Sequence, residues 1–366
     1  MNKGKILVAM SGGLDSTVAA VMLHQQGYEV IGMTMKTWDY ANSGGSKKET
    51  GCCSLDSIND ARAIAVEQGF HHFIVDIREE FGDWVIDNFV DEYLAGRTPN
   101  PCVLCNTYIK WEALLKRADA LGCQYIATGH YAQLKEINNR WVVSKGRDDN
   151  KDQSYVLWGV SQKNLARSRF PLGGYHKAEI RKMAEEMGFH DIVKKPESYE
   201  ICFVPDNDYR GFLKRKVNGL EEKVNGGKFV DATGSIIGTH KGYPFYTIGQ
   251  RKGLDVAFGE PKYVTHIEPE TNTITLGDAV DLHRNGMLVK DISYQKYARI
   301  EDGQKSLVKI RYKHDGEQAT IYNAEDGMLR IEFNTYVSGI APGQSAVFYE
   351  GNEVLGGGFI HSSFNV

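Results

Sequence analysis

The chain has 366 residues, 42% of them apolar and 25% charged, with a net charge of −4. That length suits two or three domains, and the balance is that of a soluble globular protein, not a disordered or fibrous one. No apolar run approaches the ~18 residues a membrane span needs, and the weak net charge leaves nucleic-acid binding to a local basic patch.

The start, Met1-Asn2-Lys3-Gly4-Lys5, leads into the apolar run Ile6 to Met10. That run is too short for a signal-peptide core, so a cytoplasmic location is expected. It reads as a buried strand, followed by a helix from Asp15 to Gln26 that stops at Gly27. Glu29 to Met35 is a second strand. Ala41 to Lys48, with two glycines and two serines, reads as a mobile loop. A helix from Ile58 to Gln68 ends at Gly69, and Phe73 to Ile77 is the next strand. Trp111 to Ala120 is helical, and Tyr125 to Thr128 is a further strand. Strands alternating with helices predict a parallel sheet covered on both faces.

After about residue 205 the pattern changes. Turn signals crowd in at Asn225-Gly226-Gly227, Gly286, Glu325-Asp326-Gly327 and Gly351-Asn352. Between them lie β-branched or aromatic runs: Leu307 to Tyr312, Ala319 to Tyr322, Met328 to Phe333 and Ala346 to Tyr349. Short strands with close turns predict a small antiparallel barrel or sandwich. The division expected is 1–208, 209–278 and 279–366.

The first strand opens into Ser11-Gly12-Gly13-Leu14-Asp15-Ser16 and then a helix. Two glycines let a ligand approach the backbone. The N–H groups of a helix start point at an anion, and two serine hydroxyls add donors. Asp15 would repel a bare phosphate, so its expected role is to hold a Mg²⁺ that bridges phosphates. No Gly-Lys-Ser/Thr follows, which excludes the common kinase and GTPase loop.

There are six cysteines: Cys52, Cys53, Cys102, Cys105, Cys123 and Cys202. That is too few for a disulfide scaffold. In a reducing compartment, clustered cysteines point to catalysis or metal binding. Cys123 reads as buried filling. Cys102 and Cys105 stand at CxxC spacing behind Pro99-Asn100-Pro101, two prolines that stiffen the loop. Cys202 lies far along the chain, in Ser198-Tyr199-Glu200-Ile201-Cys202-Phe203.

The Ser11–Ser16 string resembles the pyrophosphate-binding loop of the N-type ATP pyrophosphatase superfamily, adenine nucleotide alpha hydrolase-like proteins that cleave ATP between its α- and β-phosphates. Taken with Met35-Lys36-Thr37-Trp38, Gly96 to Asn106, Thr128-Gly129-His130-Tyr131, Lys151-Asp152-Gln153-Ser154-Tyr155, Glu200 to Phe203, Tyr246 to Gly253 and Pro342 to Val347, the whole chain resembles the bacterial and organellar tRNA-specific 2-thiouridylase family. The resemblance implies an α/β ATP-binding domain, a small central domain and a C-terminal β-barrel. It implies adenylation of the O2 oxygen of the tRNA wobble uridine, then sulfur transfer to C2. Cys202 would carry a persulfide received from a sulfur-relay protein or a cysteine desulfurase. Cys105 would be the second catalytic cysteine, leaving a Cys105–Cys202 disulfide. Ala9, Met10, Ser11, Gly12, Gly13, Leu14, Asp15, Ser16, Met35 and Gly129 would contact ATP. Asn100, Pro101, Cys102, His130, Lys151, Asp152, Gln153, Arg311, Tyr312 and Gln344 would contact tRNA.

Thiolate chemistry calls for a nearby cation, and Arg97, Lys194 and Lys195 are candidates. Lys163, Arg167, Arg169, Lys177, Arg181 and Lys182 form a basic run that suits a phosphate track for the tRNA stem. Many family members have Asp at the position of Cys102. The substitution opens an alternative in which Cys102, Cys105 and Cys202 hold an iron–sulfur cluster. A monomer with no membrane partner is expected. The competing functions are an AMP-forming small-molecule synthetase and a non-enzymatic sulfur or metal carrier.

Overall fold

A computed structural model describes residues 3–38, 54–195, 201–256 and 259–366. The expected loop Ala41 to Lys48, Cys52, Cys53 and the Ser198-Tyr199-Glu200 string lie outside the described residues. Two units emerge: Met1–Val85, Cys102–Asn207 and Asn352–Val354 in the first, and Ile86–Pro101, Asp208–Gly351 and Leu355–Val366 in the second.

The first unit is built on strands β1 (Lys5–Ala9), β2 (Glu29–Lys36), β3 (His71–Asp76), β4 (Tyr125–Ala127) and, after the hairpin β5 (Ala132–Ile137) and β6 (Arg140–Lys145), β7 (Ser168–Arg169). Their order is β3-β2-β1-β4-β7, and every pairing is parallel. Ile6, Leu7 and Val8 are fully buried, as a central parallel strand covered on both faces requires. The edge strand β3 exposes Phe73 and Ile74.

The helices of this unit are α1 (Leu14–Gln25), α2 (Leu55–Gln68) and α3 (Arg78–Phe81), then, beyond α4 (Asp87–Leu94) of the second unit, α5 (Pro101–Leu104), α6 (Trp111–Ala120), α7 (Gln162–Ala166), α8 (Lys177–Glu186) and α9 (His190–Val193). Ser54 caps α2 by accepting from the Ser57 N–H, and Gly69 closes it at φ +77°. α1 buries residues around its whole circumference, so it has no polar face. It packs with α2, α8 and α9 over β1, β2 and β4 in one apolar core.

The second unit continues with α10 (Tyr209–Lys216) and α11 (Leu220–Val224). Strands β8 (Gly227–Val230), β9 (Ile236–His240), β10 (Tyr263–Glu268) and β11 (Thr273–Gly277) form a sheet in the order β10-β11-β8-β9. Then β12 (His283–Tyr294), β13 (Gln304–Lys309), β14 (Glu317–Asn323), β15 (Leu329–Ser338), β16 (Ser345–Glu350) and β17 (Glu353–Phe364) run β12-β15-β14-β13-β16-β17, and a β12–β17 pairing closes the barrel. Met287, Val308, Ile321, Ile331 and Leu355 fill its interior.

Gly286 corrects one expectation. It is not a turn but a residue of β12 beside a break in register. A Cβ there would lie 2.3 Å from the Phe364 ring, so the glycine admits a packed aromatic.

Candidate active site

β1 lies between β2 and β4, and the chain leaves it in opposite directions on its two sides. In doubly wound sheets, ligands gather outside the carboxyl ends of the strands at this switch point. The Ser11–Ser16 loop occupies that position. The Ser11 N–H donates to Ser16 Oγ at 3.0 Å, the two serine oxygens stand 3.2 Å apart, and Ser16 Oγ donates to the Gly13 carbonyl at 3.2 Å. Gly12 has φ +71°, and a Cβ on it would lie 1.9 Å from the Ser57 carbonyl oxygen. Only glycine permits that contact. Gly13 is the N-cap of α1 and offers no side-chain cap. The first N–H groups of the helix, which have no intrahelical partners, are left to a ligand.

The acid of the loop is held from two sides. Lys177 Nζ donates to both Asp15 oxygens, at 2.7 and 2.8 Å, and the Tyr131 hydroxyl donates to Oδ1 at 2.7 Å. Lys177 is the first residue of α8, and its backbone N–H donates to Asp148 Oδ2 at 2.9 Å. Tyr131 exchanges hydrogen bonds with Gln153, whose side chain accepts from the Tyr131 N–H at 2.9 Å and whose own N–H donates to the Tyr131 carbonyl.

Gly129 presses on the same loop. A Cβ there would stand 2.9 Å from Asp15 C and Ser16 N. The next residue, His130, meets Thr128 Oγ1 through Nδ1 at 2.7 Å and lies 5.9 Å from the Trp111 ring. Burial pushes its pKa down to about 3, and the Lys110 ammonium adds to the shift. His130 is therefore neutral at physiological pH.

Lys110 ends a π-helical segment, Cys105–Lys110, that continues α5. π-helical turns recur at functional sites. The segment is anchored by Asn106, whose Nδ2 donates to the Val156 carbonyl at 3.0 Å. Trp111 follows, its Nε1 donating to Ser168 Oγ at 2.7 Å. Cys105 is buried and Cys102 exposed. Protein crowds the Cys102 sulfur nonetheless: burial pushes its pKa up, and the Lys110 charge opposes the shift. Cys202 is exposed. Its neighbour Phe203 is buried edge-on against Phe81, centroids 5.8 Å apart, and α3, which carries Phe81, packs on the Cys105–Lys110 segment.

Three family models match the chain: a tRNA methyl transferase HUP domain over residues 4–206, a tRNA methyl transferase PRC-barrel domain over 210–278 and an aminomethyltransferase beta-barrel domain over 284–360. A tRNA-specific 2-thiouridylase of Cytophaga hutchinsonii is 66% identical over 99% of this chain and 98% of its own length. One from Amoebophilus asiaticus is 59% identical over 100% of this chain and 97% of its own length. The chain belongs to the tRNA-specific 2-thiouridylase family. The domain models are named for methyl transfer, but the relatives, matched end to end, are named for thiolation.

Set within that family, several expected residues have quieter places. Asp152 is buried; its Oδ1 accepts from the Gly146 and Ser154 N–H groups and its Oδ2 from the Ser154 hydroxyl. Gln344 Nε2 donates to the Thr98 and Pro99 carbonyls at 3.2 and 2.8 Å, and Asn100 Nδ2 reaches Ser345 Oγ at 3.5 Å. Gln344 thus braces the stiff Pro99-Asn100-Pro101 turn against the barrel. Arg311 and Tyr312 are exposed on the barrel. Met35, at the end of β2, is half-buried, and Lys151 likewise.

The cations expected near the thiols are engaged elsewhere. Arg97 pairs with Glu92, Lys194 with Asp191 and Lys195 with Asp60. The basic run is not one face. Arg167 bonds Asp119 and the Cys123 and Gln124 carbonyls, Arg181 bonds the Val193 carbonyl, Arg169 covers the Tyr125 ring, and Lys177 turns inward. Sequence reasoning missed Lys177, Tyr131 and Lys110 as site residues. It also missed an exposed, stacked pair, Trp84 and Tyr108, with centroids 5.5 Å apart.

Proposed function

We propose that this chain is an ATP-dependent tRNA uridine 2-sulfurtransferase. One juxtaposition supports the reading. Gly129 presses on the phosphate loop, and the Lys110 charge is felt both by His130, the neighbour of Gly129, and by Cys102. ATP lies with its phosphates on Ser11, Gly12, Gly13, Leu14, Asp15 and Ser16 and its adenosine beside Ala9, Met10, Met35 and Gly129. The wobble uridine leaves its stack, and its O2 attacks the α-phosphate. Pyrophosphate departs, and a poor leaving group becomes AMP. The outer sulfur of a Cys202 persulfide attacks C2 and AMP leaves. Cys105 then attacks the inner sulfur, releasing 2-thiouridine and closing a Cys105–Cys202 disulfide.

A Mg²⁺ arriving with the nucleotide would be held by Asp15 and phosphate oxygens, taking the place that Lys177 Nζ fills at both carboxylate oxygens. When bound, the ion neutralises phosphate charge. Until then Lys177 holds Asp15 in place. Neutral His130 suits hydrogen bonding to an uncharged base, with Asn100, Pro101 and Cys102 as the turn that meets it. Lys151, Asp152 and Gln153 on the first unit and the Arg311-Tyr312 pair on the second each contact tRNA, by charge and stacking. No group of three His, Cys, Asp or Glu side chains that could hold a metal is gathered among the described residues. No helix among them is long and apolar enough to cross a membrane. On this reading the domains are 1–208 for ATP and catalysis, and 209–278 and 279–366 for tRNA. The sulfur source is a cysteine desulfurase or a relay protein, and the chain works as a cytoplasmic monomer.

The test is anaerobic thiolation of a wobble-uridine tRNA with ATP, Mg²⁺ and a desulfurase, using protein assayed for iron. Thiouridine and AMP from iron-free protein establish the reading. AMP without thiouridine moves the function to a small-molecule synthetase.

A further inference from the structure

The steps above give Cys102 no chemistry of its own, yet its placement is specific. The backbone from Pro101 to Leu104 is α-helical, Leu104 has φ −59° and ψ −45°, and the π-helical segment begins at Cys105. Cys102 and Cys105 therefore stand three residues apart on one helical turn. Their Cα atoms are ~5 Å apart by helix geometry, inside the window of about 4.4–6.8 Å that a disulfide spans. Cys102 is exposed and Cys105 buried. The Phe203–Phe81 contact roots the segment of Cys202 against the helix that packs on Cys105–Lys110.

We propose that Cys102 is a resolving cysteine. Its thiolate attacks Sγ of Cys105 in the Cys105–Cys202 disulfide that sulfur transfer leaves behind. The Cys102–Cys105 bond forms, the Cys105–Cys202 bond breaks, and Cys202 departs as a thiolate ready to be loaded again. A dithiol reductant then attacks the exposed Cys102 sulfur, Cys105 leaves as thiolate, and the second thiol of the reductant closes its own disulfide. The two electrons that reduced the persulfide sulfur are thus restored by the dithiol. The proposal rests on the thiolation reading, which supplies the Cys105–Cys202 disulfide.

Proximity favours the relay over direct reduction. A thiol on the same helical turn acts at an effective concentration in the millimolar range or above, beyond that of a diffusing protein reductant. Burial raises the Cys102 pKa and the Lys110 charge only partly opposes it, so nearness on one helical turn, not thiol acidity, drives the attack. Within the Cys102–Cys105 pair, Cys102 is the exposed residue and Cys105 the buried one, so an external dithiol meets Cys102 before Cys105.

The experiment is one turnover without reductant. The chain is loaded with sulfur from a cysteine desulfurase and cysteine, then mixed with wobble-uridine tRNA, ATP and Mg²⁺. It is quenched in acid, alkylated and mapped by mass spectrometry, with thiouridine measured in parallel. The wild-type chain should show a Cys102–Cys105 disulfide and alkylated Cys202. Cys102→Ser should instead hold Cys105–Cys202, and its steady-state rate with a dithiol, relative to its single-turnover rate, should fall at least about tenfold. Thiouridine accompanied by a lasting Cys105–Cys202 disulfide in the wild-type chain overturns the relay alone. So does a Cys102→Ser chain that keeps the wild-type ratio. Absence of thiouridine from the wild-type chain overturns the thiolation reading and the relay with it.

Discussion

The Asp15–Lys177 pair should respond very differently to loss of one partner than to loss of the other. The Lys177 side chain is 10% exposed and that of Asp15 is 35% exposed. Removing one member of a buried pair costs about 3–5 kcal/mol when the survivor stays buried and uncompensated. Asp15→Asn takes both carboxylate contacts from a Lys177 ammonium whose side chain is only 10% exposed. A loss near about 3 kcal/mol is expected. Lys177→Met leaves a carboxylate that water reaches and that still accepts from the Tyr131 hydroxyl. Its cost should be only about 1–2 kcal/mol once solvent screening is allowed for. In Asp15→Asn/Lys177→Met the stranded ammonium is gone, so the double variant should be more stable than the sum of the single losses by about 2 kcal/mol. The assay is hydrogen exchange of amides in β1 and α1 across the four proteins, which reports opening of the first unit alone. A Lys177→Met loss equal to or above that of Asp15→Asn would refute the reasoning, as would strict additivity.

Three other outcomes are expected. Gly12→Ala should abolish ATP binding, because φ +71° and the Ser57 carbonyl leave no room for a methyl; nucleotide titration by calorimetry checks it, and an unchanged affinity contradicts it. Gln344→Ala should raise the KM for tRNA several-fold while leaving ATP affinity alone, since it frees the Thr98 and Pro99 carbonyls that fix the turn; equal effects on both ligands would count against a bracing role. His130 has a folded pKa depressed to about 3 against about 6.5 unfolded. Below pH 6.5 the unfolded chain takes a proton that the folded chain refuses, so stability present at neutral pH is lost as pH falls from 6.5 towards 3, by at most about 1.4 kcal/mol per pH unit. Subtracting a His130→Gln chain from the wild type in urea melts at pH 7, 5.5 and 4.5 isolates this slope; a pH-independent difference disproves it.

Much of this could be read from the sequence where information is local. A strand of Ile6, Leu7 and Val8 running into Ser-Gly-Gly and a helix declares its own phosphate loop, because backbone freedom and helix-start donors are properties of neighbouring residues. Lys177 was legible only as one of six basic side chains. Its burial depends on α8 packing against α1, and its partner lies far away in sequence at Asp15. The short strands after residue 279 announce a β structure, but closure needs Gly286 to pair with Phe364, which no turn signal encodes. Gly286 was misread because glycine marks tight turns and close aromatic packing alike. Arg97, Lys194 and Lys195 were chosen for nearness in sequence to the cysteines, whereas Lys110 acts from the far end of a helical segment.

On the proposed reading, the two ends of the site divide their electrostatics in a way that suits two different substrates. At the phosphate end, charge is abundant and already paired: Asp15 and Lys177 hold each other, with Tyr131 as a third contact. A polyanion entering there meets donors fixed in advance, so little reorganisation is needed as charge develops. At the base end, the groups are kept neutral. His130 stays unprotonated, and burial holds the Cys102 thiol towards its protonated form. A uracil is uncharged, and a neutral imidazole can bond its edge without a competing ion. Lys110 supplies positive charge at the base end, acting on both His130 and Cys102. On the proposed reaction, negative charge develops at the base, on the adenylated oxygen as it leaves and on a thiolate as it attacks. A cation beside groups that rest neutral favours those transient anions, the differential stabilisation that accelerates a reaction.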